Sequence, residues 1–376
     1  MPPNLPRVSA SVAMPKPALQ QVFDNLRAAG FSLVGPTIRD GAIVLDEIER
    51  LHDLPFGWTD QQEPGRYRLK KVPDREAQYF GFSVGPHSWK QFLHPPRLRL
   101  LSSEKNNGNW VFRAPQEPPP HYAFIGVHGC DLAAIAIQDR VLMGSEFRDP
   151  HYAARRENVF TLAVNCGQAS SSCFCASMKT GPKAVSGFDL ALTELPDIFL
   201  VEIGSEAGVE MMREVPWEAA TAFDLGRASR VLQRAEKQIS RQLRTDDLPD
   251  VLYENLEDSH WDEVGARCLS CANCTLVCPT CFCTTVEDTS NLRGTAAERV
   301  RVAGSCFNRD FSHVHGGNIR PTIKSRYRQW LSHKLASWID QFGTSGCVGC
   351  GRCITWCPVG IEINEEVNSI RAKAAK

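Results

Sequence analysis

The sequence predicts an α+β fold, in which an amino-terminal α/β domain is followed by a mainly helical domain rich in cysteine. Three observations support this prediction: strand-like apolar runs that end at glycine in the amino-terminal half, a polar helical segment in the middle of the chain, and a dense set of cysteines near the carboxyl end. They divide the chain into an α/β domain over residues 17–224, a helical connector over 225–262 and a cysteine-rich domain over 263–376.

The α/β domain is predicted to begin with a helix over residues 17–30, which ends at Gly30. Strand-like runs follow at 41–48, 79–84 and 109–115, separated by proline and glycine clusters that are typical of turns. The apolar positions of the helix follow helical spacing: Leu19, Val22, Phe23 and Leu26.

Two later segments carry the α/β pattern. Residues 121–142 (HYAFIGVHGCDLAAIAIQDRVL) combine an apolar strand, a glycine-rich turn and a helical segment, and residues 157–167 (ENVFTLAVNCG) form a second strand that ends in a similar turn. Neighbouring parallel strands would bring both turns to one edge of a sheet, where α/β proteins usually bind ligands. We therefore expect functional residues in these two turns.

Helices are also predicted on either side of the first cysteine motif. The connector (225–262) has a polar face and is interpreted as a solvated linking helix, and residues 325–343 form a basic helical stretch between the two cysteine motifs. Neither segment carries a recognisable catalytic motif.

The composition limits the class of partner. The 376 residues include 42 basic and 43 acidic residues, so no net field would attract nucleic acid or an anionic membrane. No stretch reaches the ~18 apolar residues of a membrane helix, and a cytoplasmic location is expected. In a reducing compartment, the 15 cysteines favour metal or redox chemistry over disulfides.

Two segments share one cysteine pattern. CLSCANCTLVCP and CVGCGRCITWCP each contain four cysteines separated by two, two and three residues and followed by proline. This spacing is typical of ferredoxins with two [4Fe-4S] clusters, in which three cysteines of a motif ligate one cluster and the fourth ligates the other. The cysteine-rich domain is thus predicted to be a ferredoxin-like 4Fe-4S dicluster domain. The predicted ligands are Cys268, Cys271, Cys274 and Cys357 for the first cluster, and Cys347, Cys350, Cys353 and Cys278 for the second.

Two other kinds of metal site compete with this interpretation. Structural zinc also uses cysteine, but zinc ribbons usually pair two separated C-x-x-C knuckles. Cys274, Cys278 and Cys281 also match the C-x3-C-x2-C spacing of radical-SAM enzymes, yet too few residues follow for a barrel of ~200 residues. The ferredoxin interpretation is therefore preferred.

The remaining cysteines fall into two groups. Four of them follow the two predicted strands at the start of 121–142 and in 157–167. We predict that these four hold a third [4Fe-4S] cluster: Cys130, Cys166, Cys173 and Cys175. The others, Cys281, Cys283 and Cys306, are left outside the ligand sets, and buried, unligated cysteine remains an alternative for all seven.

The sequence contains no convincing nucleotide-binding or catalytic motif. The turn GVHGCDLAAI lacks the G-x-G-x-x-G fingerprint, and no P-loop is present. No catalytic residue is predicted. A flavin or nicotinamide cofactor is expected on another subunit.

Longer segments resemble a known family: DLPFGWTDQQEPGRYRLKK (53–71), FGFSVGPHSWKQFLHPPR (80–97), GVHGCDLAAIAIQDRV, NCGQASSSCFCASMKTGP, CLSCANCTLVCPTCFC and GCVGCGRCITWCPVGIEI. The chain resembles the iron-sulfur beta subunit of cytoplasmic, NAD(P)-linked [NiFe] hydrogenases of the sulfhydrogenase type, which is related to the electron-transfer subunit of anaerobic sulfite reductase. His128, before Gly129 and Cys130, departs from the expected pattern.

The resemblance implies a non-catalytic redox subunit. Such a chain would relay electrons between the small subunit of a [NiFe] hydrogenase, which pairs with the large subunit, and a flavin- and NAD(P)-binding subunit. It also implies that the eight motif cysteines ligate the clusters. Two alternatives stay open: the electron-transfer subunit of an anaerobic sulfite reductase, and a zinc-stabilised structural scaffold.

Overall fold

A computed structural model describes residues 5–114, 120–144 and 146–374. The strands are β1 (Ser11–Pro15), β2 (Ser32–Arg39), β3 (Ala42–Glu47), β4 (Trp58–Glu63), β5 (Arg66–Lys71), β6 (Arg97–Asn106), β7 (Asn109–Arg113), β8 (Tyr122–His128), β9 (Phe160–Val164), β10 (Leu190–Glu194), β11 (Ile198–Ile203), β12 (Glu218–Ala219), β13 (Thr284–Ser290), β14 (Ala296–Ala303), β15 (His313–Val314) and β16 (Gly317–Asn318).

The α-helices are α1 (Leu19–Ala28), α2 (Lys90–Leu93), α3 (Gly129–Met143), α4 (Pro150–Arg156), α5 (Glu206–Met211), α6 (Ala222–Gln238), α7 (Leu248–Glu254), α8 (His260–Arg267), α9 (Asn273–Leu276), α10 (Ile323–Ser332), α11 (Trp338–Phe342), α12 (Arg352–Thr355) and α13 (Ile363–Ala374). A π-helical turn, His333–Ser337, joins α10 to α11. None of these helices is both long and apolar enough to cross a bilayer, within the part of the chain that the structure describes.

A mixed eight-stranded sheet organises the amino-terminal region, in the order β12-β1-β11-β10-β9-β8-β2-β3. Its central strands β2, β8, β9 and β10 are parallel, and the outer pairings are antiparallel. Both faces are buried, because Ala123 and Ile125 of β8 join the core that contains α1, while Phe124 and Val127 join the core that contains Ile135 of α3. Helices therefore cover both faces, as expected for an α/β layer.

Most predicted elements of this region are confirmed. The helix predicted at 17–30 corresponds to α1, the strand at 41–48 to β3, and the segment 121–142 to β8 followed directly by α3. The strand predicted at 157–167 is β9. The strand predicted at 109–115 is β7, and Pro115 lies outside the described residues.

The strand predicted at 79–84 is wrong. The segment is irregular although Phe80 and Phe82 are buried. Its backbone donors are taken by carboxylates: the amide of Phe80 donates to Glu194 Oε2 at 2.9 Å, and the amide of Ser83 donates to Asp60 Oδ1 at 2.7 Å. These side chains replace the neighbouring strand that the apolar alternation predicted.

A second sheet combines strands of the amino-terminal region with strands of the cysteine-rich region, in the order β13-β14-β6-β7. Strand β14, from the cysteine-rich region, pairs antiparallel with β6, from the amino-terminal region. The expectation of a mainly helical carboxy-terminal region is therefore not confirmed, since β13 to β16 accompany its helices. The division into 17–224, 225–262 and 263–376 stays a prediction.

The connector is helical only in part, because α6, α7 and α8 are separated by segments without helix, including residues 239–246. Helix α6 packs on the large sheet through Ala228, which contacts Leu195 and Leu200. Helices α8 and α10 share a second core with the cysteine motifs, built around Trp261, Tyr327 and Trp330. This core supports the loops that carry the motif cysteines.

Candidate iron-sulfur centres

The two cysteine loops have the same backbone conformation. In each loop, the second and fourth residues after the first cysteine adopt left-handed dihedral angles, and a short helix, α9 or α12, begins next. The amides of Ser270 and Gly349 donate to Cys268 Sγ and Cys347 Sγ, both at 3.4 Å. Amide donors of this kind stabilise the thiolate form that iron requires. The left-handed residues are Ser270 (φ 53°), Ala272 (φ 67°), Gly349 (φ 66°) and Gly351 (φ 77°).

The first centre is a pocket in which cysteines of both motifs meet. Phe307, Tyr327 and Trp330 line its walls together with Ile361, whose amide donates to Cys357 Sγ at 3.3 Å. The loop after Cys357 thus places this thiol against the three thiols of the first motif. The cysteines that line the pocket are Cys268, Cys271, Cys274, Cys353 and Cys357.

The thiols of this pocket affect one another electrostatically. Burial raises the pKa of Cys274 most, and the neighbouring Cys268, Cys357 and Cys271 raise it further. Thiols with raised pKa values ionise only beside a positive charge. The iron core of a cluster would supply that charge and hold these cysteines as thiolates. The donor set therefore fits a [4Fe-4S] cluster.

The second centre combines the second motif with Cys278. Burial raises the pKa of Cys353 most, followed by the neighbouring Cys347, Cys350 and Cys278. Cys278 Sγ lies 3.1 Å from Thr280 Oγ1 and accepts a hydrogen bond from Lys334 Nζ at 3.3 Å. The structure thus places the last cysteine of the first motif beside the second motif.

The two centres differ in burial. The second loop packs on residues 172–175, where the amide of Phe174 donates to Gly349 O at 2.8 Å. In the first loop Cys271 is exposed, and its neighbours Leu269 and Leu276 are 61% and 54% exposed. The first centre therefore lies near the surface, and the second lies between the cysteine-rich region and the amino-terminal sheet.

The cysteines predicted to hold a third cluster occupy one region beyond the second loop. Cys130 is the second residue of α3, Cys166 follows β9, and Cys173 and Cys175 lie in the loop that packs on Gly349. Burial raises the pKa of Cys166 most, and Cys175 and Cys173 raise it further. Burial likewise raises the pKa of Cys130, with smaller contributions from Asp131, Cys350 and Cys175.

A buried ion pair lies beside this region and had no signal in the sequence. Arg352 donates to both carboxylate oxygens of Asp131, at 2.7 and 3.0 Å, and to Gly85 O at 3.0 Å. The side chains of Arg352 and Asp131 are 2% and 3% exposed. Within the described residues, His128 Nε2 is buried without a hydrogen-bond partner. Arg352 thereby connects the second loop to helix α3.

The cysteines left outside the ligand sets are also paired. Cys281 hydrogen-bonds with Cys278, and Cys283 hydrogen-bonds with Cys306 at the base of the β13–β14 hairpin. The hydrogen bond with Cys306 lowers the pKa of Cys283 to about 7 against the opposing effect of burial. Cys281 therefore lies beside the second centre, whereas Cys306 also lies near Cys274 of the first motif.

A structural zinc site and a [4Fe-4S] cluster require different arrangements of cysteine. Among the described residues, no three histidine, cysteine, aspartate or glutamate side chains are placed to hold a single metal ion. A structural zinc site requires four ligands at about 2.0–2.3 Å from one ion. A [4Fe-4S] cluster instead spreads its four thiolates around a cube.

Comparisons with known proteins agree with this geometry. Residues 267–361 match the family model of the 4Fe-4S dicluster domain. The chain is 34% identical over 325 residues to sulfhydrogenase 2 subunit beta of Pyrococcus furiosus, an alignment that covers 86% of this chain and 94% of that protein. No solved structure matches the chain. The chain therefore belongs to the sulfhydrogenase beta-subunit family and is an iron-sulfur subunit with a 4Fe-4S dicluster domain.

Proposed function

We propose that the chain relays electrons through two [4Fe-4S] clusters between the small subunit of a [NiFe] hydrogenase and a flavin- and NAD(P)-binding subunit. The observation that carries the proposal is the pocket that joins Cys357 to Cys268, Cys271 and Cys274. The exchange of one cysteine between motifs is the ligation pattern of two-cluster ferredoxins. H2 chemistry belongs to the hydrogenase large subunit, and the complex is cytoplasmic.

The ligands follow from the same exchange. Each cluster is held by three cysteines of one motif and the last cysteine of the other. When bound, the clusters supply the one-electron carriers, and the chain holds them by thiolate ligation, amide donors and burial. The first cluster is held by Cys268, Cys271, Cys274 and Cys357, and the second by Cys347, Cys350, Cys353 and Cys278.

Burial gives the order of the two clusters along the relay. The surface position of Cys271 makes the first cluster the exchange point with one redox partner. The second cluster lies inside, against residues 172–175, and continues the path toward the amino-terminal sheet. No general acid, base or nucleophile of this chain is needed for such a relay.

A third [4Fe-4S] cluster extends this path in the proposal. Cys130, Cys173 and Cys175 lie near Cys350 of the second loop, and Cys166 lies near Cys173 and Cys175. Iron analysis of the anaerobically purified chain tests it. About twelve irons per chain are expected, because each cluster holds four, whereas about eight would reject the third cluster.

Purification of the intact assembly without oxygen tests the function itself. We expect a broad absorbance near ~400 nm that bleaches with dithionite, acid-labile sulfide, and nickel in a co-purifying subunit. A colourless, zinc-containing protein would instead support the scaffold alternative. A nickel-free complex that contains sirohaem would replace the hydrogenase with a sulfite reductase as the partner enzyme.

A further inference from the structure

Two lysines lie close to Cys278, the cysteine of the first motif that belongs to the second centre. Lys334 is 3% exposed, and its ammonium donates to Cys278 Sγ at 3.3 Å. Lys90 approaches from α2 and donates to the carbonyl oxygens of Cys278 and Cys281 at 2.8 and 3.1 Å. We call Lys90, Lys334, Thr280 and Cys278 the cationic pocket.

The position of Lys334 is set by several contacts. Its Nζ also donates to Thr280 Oγ1 at 3.1 Å and to Gly346 O at 3.0 Å, and lies 5.4 Å from the centroid of the Trp338 ring. In return the amide of Gly346 donates to Lys334 O at 2.8 Å. Lys334 thus connects Cys278 to the residue that precedes Cys347. The π-helical turn that carries it is a local irregularity of a kind often found at functional sites.

The charge of the cationic pocket is balanced by sulfur and not by carboxylate. Within the described residues, the groups that attract Lys334 and Lys90 electrostatically are cysteines: Cys278, Cys281, Cys283 and Cys347. Burial lowers the pKa of Lys90 most, and the neighbouring Lys334 lowers it further, whereas Cys281, Cys278 and Cys283 raise it. Buried charges are stable only when an opposite charge balances them. The nearby guanidinium of Arg352 is already neutralised by Asp131.

A thiolate-ligated cluster would provide the missing negative charge. Four thiolates outweigh the positive charge of a [4Fe-4S] core, and reduction adds one more negative charge. A fixed cation beside a ligand sulfur therefore stabilises the reduced cluster more than the oxidised cluster. At the first centre, Arg326 is a cation near Cys268, and it donates to Ser270 Oγ at 3.4 Å.

We propose that Lys334, with Lys90 beside it, is the counter-ion of the second cluster and holds its reduction potential above that of the first cluster. This inference rests on the proposed function, because it requires both clusters. It assigns the two lysines the role of positioning residues that act through Cys278. Electrons entering at the exposed first centre then move inward to a cluster of higher potential.

The test is a redox titration of the anaerobically purified full chain, followed by electron paramagnetic resonance. A Cys271→Ser variant identifies the signal of the first cluster. In Lys334→Met, we expect the ratio of reduced to oxidised second cluster at a fixed ambient potential to fall at least tenfold, which corresponds to ~59 mV for a one-electron couple. The first cluster is expected to keep its potential.

Three further variants separate charge from packing. Lys334→Arg retains the charge and is expected to restore most of the potential, whereas Lys90→Met is expected to shift it in the same direction as Lys334→Met. Lys324→Met removes a lysine that pairs with Asp262 on α8, and no shift is expected. Gly346 O also accepts a hydrogen bond from Thr280 Oγ1 at 2.6 Å, a contact that does not involve Lys334.

Unchanged potentials in both Lys334→Met and Lys90→Met, with both cluster signals present, would overturn the inference. If Lys334→Met does not fold, Lys90→Met alone decides in the same way. Absence of iron and sulfide from the unmodified chain would instead reject the proposed function, so the two failures are distinguishable.

Discussion

The two cysteine loops share spacing and backbone but differ in surroundings. In the second loop both left-handed residues are glycines, and a Cβ atom at Gly351 would lie 2.5 Å from Ser172 O. In the first loop the same positions are Ser270 and Ala272, where side chains are tolerated in spite of the positive φ. The cysteine spacing is thus a property of the metal ligation, whereas the glycines are required because the second loop packs closely against residues around Ser172.

Removing the cysteine exchanged between the loops should have the largest effect. In Cys357→Ser, we expect loss of the first cluster and retention of the second, because Cys357 lines the pocket of Cys268, Cys271 and Cys274. Iron should fall by about four atoms per chain, measured together with the resonance signals.

Cys306→Ser is the control for this variant, since Cys306 pairs with Cys283 and not with a proposed ligand. Preferential loss of the second cluster in Cys357→Ser would contradict the crossed ligation. Cys278→Ser is the reciprocal variant, and it should lose the second cluster and spare the first.

Breaking the buried ion pair between Asp131 and Arg352 should have the second-largest effect. In Asp131→Asn the guanidinium of Arg352 stays buried without its counter-charge, and the free energy of unfolding should fall by about 3–5 kcal/mol. Urea unfolding of the anaerobically purified chain measures this change. The exposed pair Arg299 and Asp288 provides the control, and Arg299→Ala should leave the urea midpoint unchanged. Equal midpoints for both variants would show that the pair does not anchor the loop.

The glycines of the second loop provide a smaller and more direct comparison. Gly351→Ala combines a left-handed penalty with a clash against Ser172, and should lower the free energy of unfolding by about 2–4 kcal/mol. The matched change in the first loop, Ala272→Gly, should alter it by less than about 1 kcal/mol. Both are measured by urea unfolding. A similar loss in the two variants would mean that packing does not distinguish the loops.

The smallest effect concerns the order in which iron is lost. With a chelator and limited oxygen, the first cluster should lose iron before the second, because Cys271 is exposed whereas Cys350 is buried. Loss of the two resonance signals over time measures this order. Simultaneous loss would indicate that opening of the whole region, and not local exposure, limits the reaction.

The sequence predicted those features that depend on local patterns. The strand-to-helix segment at 121–142 is a short-range signal that β8 and α3 confirm. The cysteine spacings are another, and the match to the 4Fe-4S dicluster domain confirms the domain that they predict, whereas the assignment of individual ligands stays a prediction. The segment 79–84 misled because its alternation comes from burial beside Glu194 and Asp60, which substitute for a partner strand.

Long-range contacts had no signal in the sequence. Asp131 and Arg352 are 221 positions apart, and although each lies in a segment that the sequence singled out, neither segment predicts that the two side chains pair. Lys334 stands in an ordinary basic helical stretch, and only the fold brings its ammonium to Cys278. Charges that act on a distant centre therefore require the structure, whereas ligand spacing does not.

The pairing of β14 with β6 has a consequence for engineering. In the intact chain, seven residues of β6 between Arg97 and Glu104 pair with residues of β14. A fragment that ends before the cysteine-rich region would leave this edge of β6 unpaired. Such an edge invites self-association. Grafting the cysteine-rich segment onto another scaffold, or expressing either portion separately, would thus require a substitute strand as well as iron.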